Sequence, residues 1–470
     1  MLKISNTNKF RNRLNNVVSL ENKNRISGVR SIANRVPVNA KLLAWGIFLI
    51  FFIENGTLGL FPKQFYFVYR NIRISDLILY FLIVYSLFNT KEYAQLYRSN
   101  ALIVVKVLIG YLLLEFIVSV ILYNYNLIEY FFRLKGIWTS LMIFPFLLLL
   151  KRNGLPYLLK LILPIAIISN ILYILSATTG IAFLPDIGIE KQTLPGGLQV
   201  YRVFGGTFYG EYFFLGFIYN WITNKFRLYQ LFLVVLFILP HILAFGRSAW
   251  ISLAFSIVLI SIWHILRRRN FKVFIKQAVI IVMAIIVVIY TFSQFIPQSG
   301  YLTEALGARV EQGQDNVENK TGTYGTRIAN IDALIYLWMN SNIFFGIGMH
   351  PMWVLRPETE EENIYAWGFS DVRWASVLAA YGLIGFIIAL LFQIYYGYLS
   401  FKILRRARSD LITFFVLMLL STLLFDTLIN YSYFLITVGL LGLGFTNCFF
   451  LSALVYKFEY PDEIIQTKKA

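Results

Sequence analysis

Four arginines, a tyrosine and two candidate bases stand out from a chain that is otherwise poor in charge. Arg247 lies in LAFGRSAWISLAF, where one apolar run ends and the next begins. A guanidinium there either snorkels to lipid headgroups or acts as a rigid anion anchor, because its planar fork grips two phosphate oxygens without losing charge. Arg327 opens RIANIDALIYLWMN, in which Ile328, Ile331, Leu334, Ile335 and Trp338 recur at helical spacing. This predicts an amphipathic helix with Thr326 as its N-cap. A cation in the first turn opposes the helix dipole, by roughly 0.3 kcal/mol or more, and a bound anion reverses that sign. The alternative is a surface arginine paired with a nearby carboxylate.

Asp371 heads the apolar run in GFSDVRWASVLAAYGLIGF. It is either the N-cap of a spanning helix or a general base for a hydroxyl, with Arg373 holding it ionised or binding a phosphate. His350, in FGIGMHPMW, is the second candidate base and ranks below Asp371, since a lone histidine after a glycine-rich turn is usually structural. YRVFGGTFYGEYFFLGF places Arg202, Tyr209 and Glu211 around a Gly-Gly turn, suited to backbone that passes close to a ligand. No Asp-x-Asp occurs, and the three histidines (His241, His264, His350) lack metal-ligand spacing. Chemistry carried by arginines, with neither metal nor cofactor, is therefore expected.

These residues sit in a chain of 470 residues that is 58% hydrophobic and 14% charged. So much apolar surface over that length means a polytopic membrane protein. The lone Cys448 excludes a disulfide framework within the chain. A net charge of +18 could suggest nucleic acid, but the basic residues fall in short clusters between apolar runs, as in cytoplasmic loops. No nucleic-acid partner is expected.

Apolar runs at 42–61, 75–90, 101–122, 135–150, 155–177, 209–223, 229–245, 249–266, 277–297, 372–400, 411–427 and 432–456 predict an all-α fold of about twelve transmembrane helices. The expected organisation is a basic cytoplasmic tail (1–40), nine spans (41–297), a long extracytoplasmic loop (298–371) carrying the amphipathic helix, three spans (372–456) and a cytoplasmic tail (457–470). Placing both termini inside puts the clusters at 225–227, 267–272 and 405–408 in the cytoplasm. Lys63, Arg70 and Arg73 then fall outside, against the rule. Within the third span, Lys106 and Glu115 are too far apart to pair directly and are expected to snorkel or to bond neighbouring helices.

Taken in order, RVFGGTFYG at 202–210, AFGRSAWISL at 244–253, TRIANIDALIYLWMNSNIFFGIGMH at 326–350 and SDVRWASVLAAYGLIGF at 370–386 resemble the O-antigen ligase and O-antigen polymerase superfamily. These are bacterial membrane-embedded glycosyltransferases of the C class, and the resemblance covers most of the chain. It implies that Arg247 and Arg327 bind a lipid pyrophosphate. Ligases of the family carry an essential histidine where this chain has Asp371, a departure that favours the polymerase branch. The implied activity is joining of undecaprenyl-pyrophosphate-linked repeat units into surface polysaccharide, by metal-independent inverting transfer at the outer face of a bacterial cytoplasmic membrane. Asp371, Arg247 and Arg327 would be catalytic, with Arg202, Tyr209, Arg373 and His350 binding substrate. The implied partners are the lipid-linked donor and acceptor, membrane lipids and a chain-length regulator protein. Two rivals stand beside it: a ligase moving finished glycan to a lipid or protein acceptor, and a flippase, which would need polar residues along a transbilayer path.

Overall fold

The computed structural model describes residues 37–54, 58, 66–69, 72–123, 127, 131, 135–184, 188–193, 199–204, 209–223, 228–244, 247–268, 318–319, 322–348, 372–428 and 443–461. These are mostly helical. In chain order the helices are α1 (Val38–Glu54), α2 (Ile74–Phe88), α3 (Ile103–Tyr123), α4 (Lys135–Ser140), α5 (Ile143–Lys151), α6 (Leu155–Thr179), α7 (Gly210–Thr223), α8 (Leu228–Leu243), α9 (Arg247–Arg268), α10 (Gly322–Met339), α11 (Arg373–Arg406), α12 (Leu411–Leu428) and α13 (Phe445–Glu459). Short helical turns at Thr90–Tyr93, Ala94–Tyr97 and Asn100–Leu102 link α2 to α3. Among the described residues five helices are long and apolar enough to cross a membrane, or six if Ile74–Phe88 and Thr90–Tyr97, bent by 69°, form one span. The expected span at 277–297 lies outside the described residues.

Three local departures from the sequence reading have physical causes. The apolar run at 135–150 is cut into α4 and α5 by a turn at 141–142. Two antiparallel two-stranded sheets interrupt the helices, β1 (Phe67–Tyr69) with β2 (Ile72–Arg73) and β3 (Gly188–Thr193) with β4 (Gln199–Phe204). The β4 segment QVYRVF is rich in β-branched and aromatic residues, which favour a strand, and no strand was expected in an all-α fold. Finally, α10 begins at Gly322, so Arg327 lies beyond the first turn. Thr326 is therefore inside the helix rather than its N-cap, and the expected conflict between Arg327 and the helix dipole does not arise, because that field fades within a turn.

Helix α12 is buried along most of its length and packs against α9, α11 and α13. Its polar start is closed by Asp410, whose Oδ1 accepts from the Thr413 N–H at 2.8 Å and whose Oδ2 accepts from Lys457 Nζ at 2.7 Å. Both partners of that ion pair are fully enclosed, with side-chain exposures of 0% for Lys457 and 2% for Asp410. Tyr219 donates to the Asp410 carbonyl at 3.1 Å, and Trp263 donates to the Leu404 carbonyl at 3.0 Å. These contacts gather the C-terminal ends of α7, α9, α11 and α13 around the start of α12. Lys151, Arg152, Arg267, Arg268, Arg405, Arg406 and Arg408 cluster at this end, where Lys151 Nζ also meets Tyr460 Oη at 3.1 Å. The opposite end carries the starts of α7, α9 and α11. Phe81, Phe88, Ile121, Leu266 and Phe401 on the outer surface are more than 60% exposed, which suits hydrocarbon rather than water.

Candidate active site

Helix α11 is broken near its start. Gly382 has φ 61° and ψ −163°, a conformation essentially reserved for glycine. A break inside an apolar bundle strips backbone groups of their helical partners, and each must find another. The segment after α10 supplies them. Ile347 N–H donates to the Ala379 carbonyl at 2.9 Å and Gly348 N–H to the Ala380 carbonyl at 3.0 Å. In return Leu383 N–H donates to the Ile343 carbonyl at 2.9 Å and Ile384 N–H to the Phe344 carbonyl at 3.2 Å. Gly346, with φ 67°, allows the two backbones to meet, since a Cβ there would fall 2.3 Å from the Ala379 oxygen.

The remaining carbonyl at the break, that of Tyr381, accepts from the Tyr111 hydroxyl of α3 at 2.9 Å. The same hydroxyl lies 2.6 Å from Glu115 Oε1. Glu115 is 1% exposed, and its Oε2 has no hydrogen-bond partner among the described residues. As expected, Glu115 does not meet Lys106, whose Nζ donates to the Tyr97 carbonyl at 2.5 Å and sits 4.5 Å above the Tyr97 ring. Glu115 thus belongs to the brace of the helix break.

The break and the clamp fix how α10 lies on α11. On α10 the side turned inward carries Arg327, Asn330, Ile331, Leu334 and Trp338, while Asp332, Tyr336 and Met339 are exposed. Arg327 is half-buried and engages a neighbour, as does Arg373, the first residue of α11. The residue at the N-cap position of α11 is Val372, which offers no side-chain cap.

A second polar group lies at the same end, around the start of α7. The β3–β4 hairpin is tied to α6 by the Tyr173 hydroxyl, which donates to the Val203 carbonyl at 2.8 Å. In its register Arg202 stands directly opposite Glu190. Tyr209, just before α7, holds φ 61°, a strained position for a side chain of this size. Its ring lies 5.2 Å from Phe51 and 6.4 Å from Tyr212. Tyr212 stands in the field of two carboxylates, Glu211 beside it and Asp426 near the end of α12. Asp426 is 4% exposed, with Oδ2 lacking a hydrogen-bond partner among the described residues. Arg247 is the first residue of α9, which runs alongside α12 with Ser256 Oγ 2.7 Å from Ser421 Oγ and the Phe255 and Phe425 rings 5.9 Å apart.

The backbone therefore brings Tyr209, Arg247 and Arg373 to one end of the bundle, on three different helices or helix starts. Asp371 and His350 lie outside the described residues, as do the side chains of Arg202 and Arg247. Asn330, Glu115, Tyr111 and Asp426 were not singled out as site residues from sequence. A usable signal existed for two: Asn330 interrupts an apolar helical face one turn from Arg327, and Asp426 is a carboxylate within an apolar run. Among the described residues no group of three or more His, Cys, Asp or Glu could hold a metal ion.

A search of the curated proteins finds no match. Residues 232–390 match the family model described as O-antigen ligase (Wzy_C). That stretch holds Arg247, Arg327, His350, Asp371, Arg373 and the Gly382 break, and leaves Arg202 and Tyr209 outside it. The chain is a multi-pass membrane protein in which residues 232–390 are similar to the O-antigen ligase family.

Proposed function

We propose that the protein is a polymerase that joins undecaprenyl-pyrophosphate-linked oligosaccharide units into a surface polysaccharide. What supports this reading is that Arg247, Arg327 and Arg373, on three helices, all fall within the stretch similar to the O-antigen ligase family. The membrane orientation follows the positive-inside rule: the end rich in Lys151, Arg152, Arg267, Arg405 and Arg408 faces the cytoplasm. The starts of α7, α9 and α11 then face outward, in a fold of about twelve spans with a long outer loop at 298–371.

In the proposed step an acceptor sugar hydroxyl attacks the anomeric carbon of the donor glycan. The new C–O bond forms as the bond to the lipid pyrophosphate breaks, and the pyrophosphate leaves with the electron pair. Arg247 and Arg327 stabilise the charge that gathers on it, and Asp371 takes the hydroxyl proton. Attack opposite the leaving group inverts the anomeric centre. Arg373, Arg202, Tyr209 and His350 hold the two substrates, with a chain-length regulator acting from outside the active site.

The family description favours a second reading, in which finished glycan is moved to a lipid or protein acceptor. The two differ in product. Complementing a deletion strain with the full chain should restore a ladder of repeat lengths on undecaprenyl pyrophosphate. Polymer of normal length that accumulates on the lipid in the deletion strain would instead establish the ligase.

A further inference from the structure

Asn330 is 1% exposed, and among the described residues neither its Oδ1 nor its Nδ2 meets a hydrogen-bond partner. A buried primary amide that satisfies neither its donors nor its acceptor destabilises the fold, and such groups are rare outside sites of function. The helical face that carries Asn330 also carries Leu334, 1% exposed, and the half-buried Ile331 and Trp338, so a leucine would serve packing better. Asn330 also lies one helical turn from Arg327 on the face of α10 that packs against the clamped start of α11. Side chains so spaced are neighbours, with Cβ atoms about 5–6 Å apart.

We infer that Asn330 reads a sugar hydroxyl of the lipid-linked glycan, next to the pyrophosphate that Arg327 holds. The inference rests on the pyrophosphate role proposed above for Arg327. A sugar hydroxyl both donates and accepts, and so does a primary amide, which can engage one hydroxyl twice or two adjacent ones once each. The separation suits the first sugar, whose ring follows directly on the phosphate. Asn330 is then a substrate-binding residue that contributes selectivity for glycosylated over bare carrier. The cost of its buried, unsatisfied amide in the free protein is recovered only when the sugar is bound, so stability and function should move in opposite directions when it is changed.

The test uses the purified full chain in lipid nanodiscs. Two probes are titrated: bare undecaprenyl pyrophosphate, and the lipid-linked oligosaccharide extracted from a strain deleted for this chain. Asn330→Leu should leave the melting temperature unchanged or raise it by a few degrees. It should keep the affinity for the bare pyrophosphate and weaken that for the glycolipid about tenfold. Asn330→Ala, which cannot clash, should give the same split. A lowered melting temperature with both affinities intact would make Asn330 a structural residue and overturn the inference. Equal weakening of both probes would overturn it as well. Wild-type protein that binds neither probe would remove the pyrophosphate reading itself, a distinct result that takes this inference with it.

Discussion

Gly382 lies against Phe344 so closely that a Cβ built on the glycine would fall 2.3 Å from the Phe344 carbonyl carbon and oxygen. Both neighbours are backbone, held by the clamp between the 342–348 segment and the broken helix, so neither can step aside. Gly382→Ala must therefore open the clamp as well as adopt a conformation that disfavours any Cβ. Its cost is expected to reach about 3 kcal/mol or more. Gly397, farther along the same helix with nothing within 4 Å of its Cβ position, is the internal control. Gly397→Ala should be neutral or stabilising by up to about 1 kcal/mol. Thermal denaturation of the two variants in detergent checks the contrast.

The Tyr111 hydroxyl has one proton and two oxygens within reach, Glu115 Oε1 and the Tyr381 carbonyl. A neutral amide at position 115 can share that network, since it brings its own donor. Glu115→Gln should thus be tolerated within about 1 kcal/mol, whereas Glu115→Ala leaves a cavity and an under-used hydroxyl and should cost about 2–3 kcal/mol. Because the brace sets the angle of the α11 start, the alanine variant should also lose activity at temperatures where it remains folded. Equal stability of the two variants would separate Glu115 from the brace.

Asp410 and Lys457 form an enclosed pair that also starts α12. Lys457→Met alone strands the carboxylate and should destabilise the protein by about 3–5 kcal/mol. Asp410→Asn keeps an oxygen for the Thr413 N–H, so combining it with Lys457→Met should recover a large part of that loss. A double-mutant cycle on melting temperature measures the coupling. Additive losses would mean that the pair does not act as a unit.

Much of this architecture was legible in the sequence, because lipid demands long apolar runs and helices announce themselves by length. Helices α3, α6, α9 and α12 fall within a few residues of their apolar runs. The amphipathic α10 was legible from the spacing of Ile331, Leu334 and Trp338, although its start was placed too late by taking Thr326 as the N-cap. The break at Gly382 was not legible. A glycine in an apolar helix is ordinary in membranes, and Gly385 and Gly397 share this one; only the pairing with residues 343–348, about forty positions away, marks Gly382 as the break. Glu115 was recognised as unusual, and Tyr111 lies one turn before it on α3, yet the Tyr381 carbonyl that shares the Tyr111 hydroxyl is on α11, a juxtaposition that periodicity cannot report. The hairpin pairing Arg202 with Glu190 was missed for the same reason. Of the proposed machinery, the positions of Arg247 and Arg373 at helix starts agree with the sequence reading, while Asp371 and His350 lie outside the described residues.

The central claim is that Arg247 and Arg327 together stabilise a departing lipid pyrophosphate, and single-turnover transfer by purified protein tests it most directly. With lipid-linked repeat units as donor and acceptor, Arg247→Ala and Arg327→Ala should each slow product formation about a hundredfold or more at normal folded yield. Arg→Lys at either position should remain well below wild type, since an ammonium lacks the guanidinium fork. Transfer at the wild-type rate and to the wild-type chain length by either alanine variant would contradict the account.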